Sequence, residues 1–163
     1  MALQASSGLT TPRWHQVNGA ACHRRVRSRQ RRIVQAVQAG AWRKVKRLSS
    51  LLVHSCAARA LAVRRVTENT GTKTPGVDNE LWETPEKKAT AIDRLGQGRG
   101  YHPRPLQRLS MPKKNGTQRP LAIPTLEDRA RQASHLQALH PSAETTADPT
   151  PRGSVRNADA PMR

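Results

Sequence analysis

No acidic residue occurs before Glu68, while the 67 residues that precede it carry 14 Lys or Arg. A chain that folds this half into a compact unit must bring like charges together, and their mutual repulsion is relieved only when an anionic partner covers them. The whole sequence repeats the bias, with 29 basic against 11 acidic residues and a net charge of +18. Such an excess points to a polyanion, and nucleic acid is the commonest.

Apolar spacing says how the basic half folds. Val26, Ile33, Val34 and Val37 recur at helical intervals among arginines between Val17 and Gln38, and Gly40 supplies a stop. Trp42, Val45, Leu48 and Leu52 step by three and four, and the run from Cys56 to Val66 continues the habit with Ala60, Leu61 and Val66. One or two further helices therefore close a small helical unit over residues 14–69.

The stretch "TENTGTKTPGVDN" breaks the period with Gly71, Pro75, Gly76 and Asn79, so residues 70–83 read as a loop. Thr84-Pro85-Glu86 reads as N-cap, first-turn proline and dipole-matching acid of a helix that buries Ala89, Ile92 and Leu95 and ends near Gly96. After Tyr101 the period changes to two. Gln107, Leu109 and Met111 alternate with Leu106, Arg108 and Ser110, and a second run from Gln118 to Ile123 follows Asn115-Gly116. Asn-Gly predicts a hairpin with a two-residue turn, because both residues tolerate positive φ. Thr125 with Asp128 opens a last helix, expected to turn Ala130, Ala133, Leu136 and Leu139 inward. The fold class is α+β: a helical N-terminal extension over 14–69, then a module over 84–149 with its hairpin at 105–124. Residues 1–13 and 150–163 show no period and are expected to be disordered.

With three Trp, one Tyr and no Phe, the core must come from Leu, Val, Ile and Ala and is expected to be thin, as in a marginally stable chain or a piece of a larger one. Two cysteines 34 positions apart, Cys22 and Cys56, offer no disulfide framework, and no run of about 18 apolar residues suggests a membrane span. These features predict a soluble, cytoplasmic protein without a membrane partner. Oligomeric state is left open.

Two clusters carry candidate chemistry. Arg24, Arg25, Arg27, Arg29, Arg31 and Arg32 lie within nine residues and surround much of their helix. A solvated face usually mixes signs and this one does not. Together with Arg43, Lys44, Lys46, Arg47, Arg64, Arg65, Lys73 and Lys114 these residues are the expected nucleic-acid contacts. Scarce aromatics favour phosphate contact and shape recognition of folded RNA over base stacking. The second cluster is Lys113, Lys114 and Arg119 on the hairpin, where a rigid mount presents a point charge and a planar fork to a phosphate group. Cys22, His23, His54 and Cys56 match no common zinc spacing, and the carboxylates form no convincing set for paired metals. No catalytic residue and no cofactor is assigned.

Three phrases in register, "ALAVRRVTENTGTKTPGVDNELW", "YHPRPLQRLSMPKKNGTQRPLAIPTLEDRARQA" and "ALHPSAETTADP", resemble the N-terminal part of group II intron reverse transcriptase/maturases from about Trp14 to Pro149. The resemblance implies an extension over 14–69 that grips intron RNA, followed by the start of the fingers subdomain, with the loop Thr74-Pro75-Gly76-Val77-Asp78 near the template entrance. Lys113 and Arg119 match the family's fingers lysine and arginine, six positions apart, that contact the triphosphate of the incoming nucleotide. The implied partners are group II intron RNA and a DNA target. Magnesium belongs to the full-length enzyme, whose palm subdomain carries a Tyr-x-Asp-Asp motif that this sequence does not contain.

The resemblance stops at Pro149, where family members continue with a run like Asn-Ser-Tyr-Gly-Phe-Arg and this chain reads Thr150-Pro151-Arg152-Gly153-Ser154-Val155. Loss of one base from a coding string for Asn-Ser-Thr-Gly-Phe-Arg yields Thr-Pro-Arg-Gly-Ser-Val, so the tail is expected to be out of frame and the enzyme truncated before its catalytic palm. The alternatives are a stand-alone basic nucleic-acid-binding protein and a remnant without a role, in which Leu136 and Leu139 stay exposed.

Overall fold

A computed structural model describes residues 14–98 and 100–147; the tail and leader discussed above lie outside these residues. Helices α1 (Gly19–Gln38), α2 (Trp42–Val53) and α3 (Cys56–Glu68) form the basic half, α4 (Pro85–Gly96) follows an extended segment, strands β1 (Gln107–Pro112) and β2 (Gln118–Ile123) pair antiparallel, and α5 (Leu126–Thr146) closes the described chain. Short 3-10 turns lie at Trp14–Gln16 and Thr70–Lys73. The fold is α+β, five helices with one two-stranded hairpin.

Helix boundaries follow capping chemistry. The Asn18, Ser55, Thr84 and Thr125 side chains each accept a hydrogen bond from a backbone N–H in the first turn of the helix they open. Thr125 also donates its hydroxyl to Asp128 Oδ2 at 2.6 Å, so the acid holds the capping side chain in place. At the end of α1, Gly40 adopts φ +65° and its N–H reaches the Val37 carbonyl while Ala41 N–H reaches that of Ala36. That left-handed residue closes the helix in a Schellman arrangement, where glycine carries no steric cost.

The core sits where α1, α2 and α5 meet α3. Ala57, Ala58, Ala60, Leu61, Ala62, Val63 and Val66 are all buried, so α3 is wrapped on most sides, and its alanines let neighbouring backbones approach closely. Val26, Ile33, Val37, Val45, Leu48, Leu52 and Ala138 pack on one flank. Trp82, Ile92, Leu95, Leu126 and Ala130 pack on the other, and Cys22 touches both groups. Trp82 is 2% exposed; the segment read as a loop over 70–83 thus delivers the largest core side chain.

Pro141 lies inside α5 and has no N–H for the carbonyl four residues back, that of Gln137. Gln30 of α1 donates its amide to that carbonyl at 2.9 Å, and the Gln137 amide in turn reaches the Ala58 carbonyl of α3. A defect in one helix becomes a tie among three.

Four expectations about burial and turns are corrected. Trp42, read as part of a buried stripe, is 58% exposed, because α2 turns Val45, Leu48 and Leu52 inward from the next turn onward. In α4 the buried residues are Ala91, Ile92 and Leu95, with Ala89 only half-buried. In α5, Ala130, Ala133, Ser134, Ala138 and Pro141 face the core, and Leu136 and Leu139 flank that stripe at 45% and 59% exposure. α5 crosses several alanine-rich surfaces, which select small residues at the contact and leave the leucines outside.

The hairpin turn is also longer than two residues. Gly116 N–H bonds to the Lys113 carbonyl and Lys113 N–H to that of Thr117, and Gly116 alone takes positive φ, at +77°. Asn115 keeps negative φ, so Lys114-Asn115-Gly116 make a three-residue loop that ends in a left-handed glycine. Asn115 Oδ1 meanwhile accepts from the Thr117 hydroxyl and N–H. This side-chain turn competes with the primed turn that Asn-Gly otherwise favours.

Candidate nucleic-acid interface

Arg24, Arg25, Arg27, Arg31 and Arg32 are exposed on α1. At 100° per residue they spread around the side opposite Val26, Ile33 and Val37. Arg43, Lys44, Lys46 and Arg47 are exposed along α2, and Arg65 on α3 and Lys73 beyond it are exposed as well. Two of the basic residues singled out above are engaged within the fold. Arg29 donates to the Leu51 carbonyl at 3.1 Å, tying α1 to α2. Arg64 sets its Nε 2.9 Å from both Glu68 oxygens, so the first acid of the sequence neutralises a cation of its own helix.

Lys113, Lys114 and Arg119 are brought to one end of the hairpin, all exposed. The register pairs Leu109 with Leu121 and Met111 with Arg119, so these four residues share one face, and strand alternation carries Lys113 toward it. Apart from Gln107 and Ile123 at its base the hairpin is exposed on both faces. Its cations therefore stand on a projecting arm.

What orients that arm is Arg129, a residue the sequence reading did not single out. Its guanidinium donates to the carbonyls of Pro124, Gly71 and Thr74, joining the base of β2 to the loop over 71–76. Burial lowers the Arg129 pKa from its ordinary value, with the Asp78 charge working the other way. Gly76 lies against the start of α5, where an added Cβ would sit 2.6 Å from Thr125 Cα. The partners of Arg129 are up to 58 positions away, so no local pattern could announce it.

A second, partly buried network stabilises the extended segment before α4. Arg94 grips Glu80 through both terminal nitrogens, and Trp82 donates its indole N–H to the same carboxylate at 2.9 Å. Burial on its own would raise the Glu80 pKa, but the hydrogen bonds from Arg94 and Trp82 and the Arg94 and Arg104 charges outweigh it and hold the carboxyl below its usual range.

Residues 14–95 match the family described as the N-terminal domain of reverse transcriptase. The chain belongs to this family. The matched span runs from the first 3-10 turn through α4, and so includes the exposed cations of α1 and α2. The reverse-transcriptase N-terminal domain seen here is also similar to protein YkfC of Escherichia coli (strain K12), at 38% identity over 92 residues, which make up 53% of this chain and 24% of that protein. The chain thus matches about a quarter of the length of this relative.

Among the described residues no three His, Cys, Asp or Glu side chains group as potential metal ligands. Among the same residues no helix is long and apolar enough to cross a membrane.

Proposed function

We propose that this reverse-transcriptase N-terminal domain grips folded RNA through the exposed cations of α1 and α2, in the manner implied by its resemblance to group II intron reverse transcriptase/maturases. The observation that carries the reading is the one-signed surface: Arg24, Arg25, Arg27, Arg31, Arg32, Arg43, Lys44, Lys46 and Arg47 stand exposed, and no acid occurs before Glu68. A surface of this kind binds phosphates by releasing counterions. The RNA is a group II intron, with a DNA target as second partner, and the complex works in the cytoplasm.

In the same reading Lys113 and Arg119 meet the triphosphate of an incoming nucleotide, and Arg129 keeps the hairpin that carries them in register with the loop beneath. Polymerisation is not assigned to these residues by themselves, because the sequence contains no Tyr-x-Asp-Asp motif.

Binding of the full chain to a folded group II intron RNA and to an unstructured RNA of equal length, across a salt series, tests the proposal. Tighter binding to the intron that persists as salt rises supports it. Equal binding at every ionic strength overturns intron recognition and leaves only phosphate attraction.

A further inference from the structure

Val26 points into the core, and at about 100° per residue its neighbours Arg25 and Arg27 leave α1 on opposite flanks. Carried along the helix, the same step sets Arg25, Arg29 and Arg32 on one flank and His23, Arg27 and Arg31 on the other. The contacts agree with that division. Arg29 bonds to the Leu51 carbonyl of α2. His23 and Arg27 instead line a groove of about 510 Å³ against α3, and Arg27 and Arg31 line one of about 560 Å³ against the end of α5. Arg25 and Arg32 thus accompany the exposed cations of α2, and Arg27 and Arg31 face away from them.

The α3 side adds cations of its own. Arg64 and Arg65 line the same groove as His23 and Arg27, together with the buried Val26 and Leu61. Among the described residues Glu68 is the one acid in that lining, and Arg64 holds it at 2.9 Å. Arg27 and Arg65 are exposed and make no hydrogen bond or ion pair among the described residues. Charge of one sign over apolar walls focuses the field and concentrates phosphate. The α5 groove is less cationic, because Glu144 lies in its lining 3.8 Å from His140.

We infer that the groove between α1 and α3 holds a second RNA backbone, so that α1 lies between two RNA segments, one on its α2 flank and one on its α3 flank. The two flanks turn away from each other across a helix about 10–12 Å wide, so one straight duplex cannot reach both. The inference rests on the phosphate-binding surface proposed above and divides it into two. Two helices of one folded RNA and two separate RNAs present the same backbone to these flanks.

The test uses the full chain and an RNA duplex of a single helical turn, in excess and across a salt series. Native mass spectrometry counts duplexes per chain and calorimetry gives the affinity of each step. The wild-type chain is expected to bind two duplexes in two salt-dependent steps. In the double variant Arg27→Gln, Arg65→Gln one step should weaken by about tenfold, the scale of two exposed ion pairs. Lys46→Gln with Arg47→Gln should weaken the other step. One duplex per chain at saturation overturns the second groove and leaves the surface on α1 and α2 standing. Weakening of the same step by both variants overturns it as well, and so does an Arg27→Gln, Arg65→Gln variant that melts like wild type with both steps unchanged. Absence of salt-dependent binding removes the RNA surface, and the groove with it.

Discussion

Arg94 and Glu80 meet across 14 positions of sequence through nitrogens 2.6 and 3.2 Å from the two carboxylate oxygens, under the ring of the buried Trp82. Because the folded state holds the Glu80 carboxyl below its ordinary value, the unfolded chain takes up that proton first as pH falls. The pair's contribution is complete above the unfolded value of about 4.3 and disappears as pH drops through the lower folded one. Glu80→Gln should cost about 1 kcal/mol near neutral pH, a modest figure for a pair still one-third exposed. Thermal melting of both proteins from neutral to acid pH checks it: the gap between them should be constant at neutral pH and narrow only below the ordinary carboxylate value.

Gln30→Ala leaves the Gln137 carbonyl facing Pro141 without a donor. The expected loss is about 1–2 kcal/mol, the cost of a buried acceptor deprived of its partner. Denaturant unfolding should show a lower midpoint with an unchanged slope, since the surface buried is the same.

Gly76→Ala places a methyl group within 2.8 Å of the Thr125 backbone nitrogen and 2.6 Å of its Cα. Backbone rather than a flexible side-chain tip must yield, so about 1–3 kcal/mol of stability should be lost. Hydrogen exchange should accelerate at the start of α5 and in the loop that Arg129 clamps, and exchange confined to the hairpin tip would contradict the clamp.

Gly116→Ala meets no atom within 4 Å, so its effect is backbone strain alone at φ +77°. About 1 kcal/mol is expected, spent on the hairpin. Amide exchange of β1 and β2 should speed up while the global melting of the helical core stays unchanged.

Lys46→Gln with Arg47→Gln removes two exposed cations of α2. Each cation that neutralises a phosphate contributes about 0.7–0.9 to the slope of log affinity against log salt. The double variant should therefore flatten that slope by about 1.4–1.8, measured by fluorescence anisotropy on a folded RNA. An unchanged slope would place the RNA elsewhere.

Local rules made the helices and the hairpin legible. The caps at Thr84 and Thr125 satisfy N–H groups a few residues away, and Gly40 and Gly116 sit where the chain needs positive φ. Charge was legible too, because the absence of acid before Glu68 is a property of sequence alone. The inward face of α5 was not. Leu136 and Leu139 outrank Ala and Ser in hydrophobicity, yet the close approach of α1 and α3 admits only small side chains, and that is a constraint written on other helices.

The candidate sites divide along the same line. The sequence by itself determined the chain's one-signed cationic half and the placing of Lys113 and Arg119 beside a turn, since these depend on composition and near-neighbour geometry. Only the tertiary structure decided that Arg29 bonds to the Leu51 carbonyl of α2 and that Arg129 joins the loop to the hairpin. These contacts reach partners 22 and 58 positions away, and they arise only once burial of α3 has drawn distant segments together and left specific backbone carbonyls to be satisfied.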